Sequence, residues 1–251
     1  MKLIPIKTKI LKPGEKVFDL FLKHNKYKIK NGDIIALASK IVSYEQENLV
    51  ELKKIKATKK AKILAKKYEL SPEFCQLVID ESDKIIGGVK KALLTLKDGL
   101  VLANAGLDHS NVKKGLAALW PSSRHLYLDK LRKAFESHYK PKIGLIMVDS
   151  HCSPLRQGTT GLAIAISGFK GTINEKGKHD LFKNKMEITY HNIADDLAAA
   201  ANGLMGERNQ KIPFVIIKNF KIKKSNLKAS KLSKELLIKP SSCLFRHYHV
   251  K

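Results

Sequence analysis

The chain has 251 residues, of which 43% are hydrophobic and 28% charged, the composition of an ordinary globular protein long enough to bury a sizeable core. It contains no run of about 18 apolar residues, which argues against a membrane-spanning helix. The apolar patch at Met1–Ile6 is too short for a secretory signal. Cys75, Cys152 and Cys243 are too scattered for a disulfide framework or a zinc site, so a cytoplasmic protein is expected. The formal net charge of +25 admits polyanionic partners, but the lysines are spread along the chain and aromatics make up only 7%. Nucleic-acid readers concentrate their charge and interleave it with arginine and aromatic rings, so nucleic acid is disfavoured and a polyanionic small molecule remains open.

Lys2–Ile6 reads as a first strand, and Glu15–His24 as an amphipathic helix with Val17, Phe18, Phe21 and Leu22 on one face. The turn Asn31–Asp33 launches a buried strand, Ile34–Ala38, which runs on into Ser39-Lys40-Ile41-Val42-Ser43. A strand ending in Ser39 and Lys40 offers a hydroxyl and a cation to a phosphate. Thr58–Tyr68 is a lysine-rich helix, and Ser71-Pro72 starts a second that runs to Ser82 before Gly87-Gly88 breaks the pattern. Ala92–Leu96 and Leu100–Ala103 flank a turn at Lys97–Gly99. The following Ala103–Val112, small and polar, suits a loop that approaches a ligand closely, and it carries Asp108.

Leu126–His138 is expected to be a helix, Gly161–Gly168 a strand and Ile173–Asp180 a polar loop. His191–Leu204 is expected to be a helix whose small face, Ala194, Ala198, Ala199 and Ala201, implies close packing. Gly206 marks its stop, Pro213–Lys218 is a further strand, and Ala229–Leu237 a helix in the basic tail.

The chain is organised around Lys142–Gly161. Ile143–Val148 is an unbroken apolar run, the signature of a strand buried on both faces, and it ends on Asp149 and Ser150. With Asp108, this places two carboxylates at strand ends, where hard oxygen ligands can hold Mg²⁺ or Mn²⁺. An Asp that merely caps the next turn explains Asp149 about as well. The chain has no Walker-type phosphate loop, no dinucleotide fingerprint and no nucleophile elbow, so a bound nucleotide would rest on scattered loops. The residues themselves support an α/β protein with a metal–phosphate site.

Several segments, in order, resemble the coenzyme F420-0:gamma-glutamyl ligase family. They are Gly-Asp-Ile-Ile-Ala-Leu-Ala-Ser-Lys-Ile-Val-Ser from Gly32, Ala-Asn-Ala-Gly-Leu-Asp-His-Ser-Asn-Val from Ala103, and Asp149-Ser150 with Arg156 beyond. Ala-Asp-Asp-Leu-Ala-Ala-Ala-Ala from Ala194, Met205-Gly206-Glu207 ahead of Ile-Pro-Phe-Val-Ile-Ile, and Lys-Glu-Leu-Leu-Ile-Lys-Pro with Leu-Phe-Arg in the tail complete the set. The resemblance implies one domain over residues 1–251, a mixed α+β fold of largely antiparallel or mixed sheets packed with helices, and two subdomains. It also implies a homodimer and a GTP-dependent ligase that joins L-glutamate to F420-0, through an acyl phosphate and two Mg²⁺ or Mn²⁺ ions, with K⁺ a further candidate. Asp108 and Asp149 would hold one metal, and Ser150 and Glu207 the second. Ser39, Lys40, Asn111, Met205, Gly206, Arg208 and Asn209 would touch the nucleotide; beyond the resemblance, the charge of Arg156 suits it to clamp a carboxylate or phosphate. The chain departs from the family pattern at Tyr44, where a Lys is usual, at Cys152, where a Gly is usual, and in a shorter Thr8–Leu11 loop. Two alternatives stay open: the same chemistry on a folate acceptor, and an inactive basic RNA-binding homologue.

Overall fold

Ile34–Ala38 and Gly144–Val148 carry no polar side chain, so each strand must be covered on both sides. In the computed structural model, which describes residues 1–249, side-chain alternation divides these strands between two cores. Ile35, Leu37, Leu145 and Met147 enter one core, and Ile34, Ala36, Ile146 and Val148 the other. Residues 250 and 251, the end of the expected single-domain span, lie outside the described residues.

In chain order the elements are β1 (Lys2–Ile6), α1 (Val17–His24), β2 (Ile34–Ala38), α2 (Ser39–Glu45), β3 (Leu49–Glu51), α3 (Lys59–Tyr68) and α4 (Pro72–Glu81). There follow β4 (Lys84–Val89), β5 (Ala92–Lys97), β6 (Leu100–Ala103), β7 (Leu116–Ala118), α5 (Arg124–Tyr139), β8 (Gly144–His151) and β9 (Thr160–Ser167). The chain continues with β10 (Thr172–Asn174), β11 (Tyr190–Asn192), α6 (Ile193–Met205), β12 (Phe214–Lys218), α7 (Ala229–Lys234) and α8 (Arg246–His249).

The main sheet has the order β1-β12-β2-β8-β9. Only β2 and β8 are parallel in it; the other three pairings are antiparallel. One face is covered by α1 and α5, where Phe21 meets Phe135 and Phe214 edge-on at centroid distances of 4.9 and 5.2 Å. The other is covered by α6 and α7 through Leu197, Ala198, Ala201 and Leu232. A third core, with Phe74, Val78, Leu93, Leu107 and Ala117, lies between α3, α4 and the β4-β5-β6 sheet. The mixed α+β class is therefore what the chain adopts. Among the described residues, no helix is long and apolar enough to cross a membrane.

Several boundaries differ from the sequence reading. Ser39–Ser43 does not prolong the strand; it begins α2, because Val42 and Ser43 turn inward at helical spacing and a short apolar run fits either periodicity. β8 does not stop at Val148; a bulge between Met147 and Val148 lets pairing continue to His151. Gly87 and Gly88 are not a break but lie within β4, beside a register shift. α6 begins at Ile193, because Tyr190–Asn192 pairs with Thr172–Asn174, part of the expected loop. On the small face of α6, Ala194, Ala198 and Ala201 are buried, whereas Ala199 is half-buried.

Candidate active site

The strand directions gather the site. Because β2 and β8 run parallel, their C-terminal ends lie side by side, with Ala38 opposite Val148. Antiparallel β12 starts there too (Phe214 opposite Leu37 and Ile6), as does β9 (Thr160 opposite His151). The loop after β1, the start of α2, the β8–β9 connection and the loop before β12 therefore meet at one edge, outside the carboxyl ends of the parallel pair, where open α/β sheets bind ligands. The loop after β6 closes the space from the third core. Together they enclose a cavity of about 540 Å³, within the ~300–1,000 Å³ typical of small-molecule sites.

Asp108, Asp149, Ser150 and Glu207 all line this cavity, as do Ser39, Lys40, Asn111, Met205, Gly206, Arg208 and Asn209. Asn202, which the sequence did not single out, lines it as well, as do Tyr44, Lys9 from the Thr8–Leu11 loop and Lys211 from the loop before β12. Arg156 does not; it sits on an exposed turn where Leu155 adopts φ 56°, and its backbone N–H donates to Ser153 O at 3.2 Å. The basic residues that do line the cavity are Lys9, Lys40, Arg208 and Lys211.

Asp149 Oδ1 accepts from the Ser150 amide at 2.9 Å, and Oδ2 accepts from Trp120 Nε1. Burial drives its pKa up to about 6, against the opposing hydrogen bonds from Trp120, Ser150 and Ser39, and the nearby charge of Asp108 adds to the rise. Asp108 moves the other way. Burial would raise it, but the Lys40 ammonium and the hydrogen bonds from Ser110 outweigh that and hold it below the ordinary carboxylate value. Lys40 Nζ donates to Asp108 Oδ2 and, at 3.1 Å, to the Ser110 carbonyl. Ser110 N donates to Asp108 Oδ1 at 2.6 Å.

On the facing wall, Gly206 ends α6 at φ 68° and ψ 173°, a conformation reserved almost wholly for glycine, and so swings Glu207 toward β8. Ser150 Oγ donates to the Glu207 carboxylate at 2.9 Å, and Asn202 Nδ2 donates to it at 3.0 Å. Asn111 Nδ2 donates to the Arg208 carbonyl at 3.2 Å, and the Tyr44 hydroxyl donates to the Asn111 carbonyl at 3.2 Å. Tyr44 thus ties the loop after β6 to α2. Its phenol is shifted up, by burial first and by Asp108 second.

Among the described residues, no three His, Cys, Asp or Glu side chains converge into a metal shell by themselves. The donors present are all oxygens, carboxylate and hydroxyl, which suits a hard divalent cation that keeps part of its shell for water and substrate phosphates. Asp149 is desolvated and hydrogen-bonded, and among the described residues no cation is paired to it. A bound cation would supply the missing counter-charge.

The sequence model of the F420-0:Gamma-glutamyl ligase family matches residues 5–219. The coenzyme F420:L-glutamate ligase of Methanocaldococcus jannaschii is 35% identical over 233 residues, covering 92% of this chain and 93% of that protein. That of Methanococcus maripaludis strain S2 is 35% identical over 221 residues, or 88% and 87% of the two chains. That of Methanopyrus kandleri is 27% identical over 244 residues, or 97% and 96%. With a family match over most of its length and such relatives covering nearly all of it, this chain belongs to the F420-0:gamma-glutamyl ligase family.

Proposed function

We propose that the protein is an amide-forming ligase that attaches L-glutamate, through its amine, to a carboxylate of coenzyme F420-0 at the expense of GTP. The observation that carries the reading is the cavity at the β2–β8 edge, where Asp108, Asp149, Ser150 and Glu207 share walls with Lys9, Lys40, Arg208 and Lys211. Acidic and hydroxyl oxygens suit divalent cations, and inward-facing cations suit phosphates and carboxylates. All three substrates are anionic, and a chain of net charge +25 draws anions toward it.

In this reading Asp108 and Asp149 hold one Mg²⁺ or Mn²⁺, and Ser150 and Glu207 hold a second. When bound, the ions neutralise charge that develops on the transferred phosphoryl group. Lys40, which lines the same wall beside Asp108, would be placed to meet a phosphate oxygen. The acceptor carboxylate attacks the γ-phosphorus of GTP, displacing GDP and forming an acyl phosphate. The glutamate amine, having lost its proton, then attacks the acyl carbon and expels phosphate. The chain's own part is to hold the anions in line, keep water from the acyl phosphate and fix the carboxylates that place the cations.

The test is coupling. GTP should be hydrolysed only when F420-0, L-glutamate and Mn²⁺ are all present, with one phosphate released per glutamate joined, and ATP should substitute poorly. Parallel reactions with folates decide the acceptor. Turnover of GTP that ignores acceptor and glutamate would reject the proposal.

A further inference from the structure

Trp120, the sole tryptophan of the chain, is almost fully buried, with 5% of its surface exposed, directly behind the cavity wall. Its slot is built for it. Gly106, at φ 73°, lies flat against the indole, and a Cβ there would collide with Nε1 and its neighbours. The Arg124 guanidinium covers the ring at 4.9 Å from the centroid, itself fixed by the Ile164 carbonyl at 3.1 Å and by Asp98 at 2.7 Å. Lys97 Nζ lies 5.9 Å from the same ring and is paired with Glu81 at 2.7 Å. The Trp120 carbonyl accepts from Asn48 Nδ2 at 3.2 Å. All this rigidity ends on one polar contact: Nε1–H donates to Asp149 Oδ2.

We infer that Trp120 is a positioning residue for the cation site. Its indole N–H holds the Asp149 carboxylate in one rotamer, so that the remaining lone pairs present a fixed face to the cavity. This rests on the metal reading of Asp149 given above. An indole N–H is a donor only, so it cannot compete for the cation, and it favours the ionised carboxylate that a cation needs. Cations over the π-face draw electron density from the ring and strengthen that donor. The second Asp149 oxygen is held by the Ser150 amide at 2.9 Å, so the carboxylate is gripped at both oxygens from the protein side. Outer partners of this kind tune affinity without touching the metal.

Trp120→Phe keeps an aromatic ring in the slot and deletes the donor. Mn²⁺ binding to wild type, Trp120→Phe and Asp149→Asn, followed through the free-ion electron paramagnetic resonance signal, should show about a tenfold to hundredfold loss of affinity in Trp120→Phe. A residue that only packs would lower the melting temperature and leave Mn²⁺ affinity unchanged; that result, in folded protein, overturns the inference. A second readout does not depend on Trp120→Phe folding. Emission from the sole tryptophan of wild type should change saturably with Mg²⁺, at the concentration where Mg²⁺ competes with Mn²⁺, and should stay flat in Asp149→Asn. Emission indifferent to saturating Mg²⁺ in wild type also overturns it. If wild type binds no divalent cation, the metal reading fails and this inference with it; retained binding in Trp120→Phe removes the role of Trp120 alone.

Discussion

Asp108 and Asp149 face one cavity, yet their carboxyls are displaced in opposite directions, and the two shifts have opposite consequences for stability. Asp149, raised to about 6, keeps its proton in the folded state after the unfolded chain has released it. Folded protein binds more protons in that window, so from about pH 4 to about pH 6 this group makes stability fall as pH rises, by up to about 1.4 kcal/mol per unit. Asp149→Asn should flatten that slope in the metal-free protein and raise its denaturant midpoint at neutral pH, while abolishing any stabilisation by Mg²⁺. Asp108 behaves conversely. Its contribution is present above the unfolded pKa and is lost as pH falls through the folded one, and Lys40→Met should remove it, seen as a lower urea midpoint at neutral pH that converges with wild type in acid. Asp149 could be found in the sequence because it follows the buried run Ile143–Val148, and Asp108 because it lies in a small, polar loop, whereas Glu207 came from the family resemblance. The residues that hold them could not. Trp120 reaches Asp149 across 29 positions and Ser150 reaches Glu207 across 57, and no local spacing encodes either meeting.

Elements were readable where one periodicity had no rival. The small face of α6 forecast a close approach, and β9 supplies its partner: a Cβ at Gly161 would collide with the Ala198 carbonyl of α6. Gly161→Val should therefore overpack that contact and cost about 1–3 kcal/mol, read as a lower urea midpoint with an unchanged slope. Gly206 makes a parallel case at the cavity. Gly206→Ala forces a side chain into a backbone conformation that glycine alone adopts freely, at about 1–3 kcal/mol. It should also weaken Mn²⁺ binding, because the same bend aims Glu207 at Ser150. The start of α2 was misread because Ile34–Val42 is apolar almost throughout, and a continuous run carries no period with which to tell strand from helix. β3 and β7 escaped for a different reason: each is only three residues long, and they find one another across the third core.

At the scale of the molecule, the charge of +25 sets the long-range field while the topology sets where it is used. Raising salt from about 0.01 M to about 0.15 M shortens the screening length from ~30 Å to ~8 Å. Self-repulsion should then weaken and the melting temperature rise, while the apparent affinity for a nucleoside triphosphate falls. Both trends are measurable in one titration series. The two-sided core was foreseeable from the apolar runs, because a strand without polar side chains demands cover on both faces. The order of strands was not, since one parallel pair among antiparallel neighbours depends on connections that the sequence leaves open. That one parallel pair is nonetheless what sets the connections around β2 and β8 at a single edge, and the proposed chemistry depends on it.

Mass spectrometry of F420-0 incubated with the protein, L-glutamate, GTP and Mn²⁺ tests this most directly. Wild type should convert the acceptor to a species heavier by a glutamyl residue, and Asp149→Asn, folded and at equal concentration, should leave it unchanged. An unmodified acceptor with wild type, or equal conversion by Asp149→Asn, would contradict the assignment of this cavity as the place where the amide bond is made.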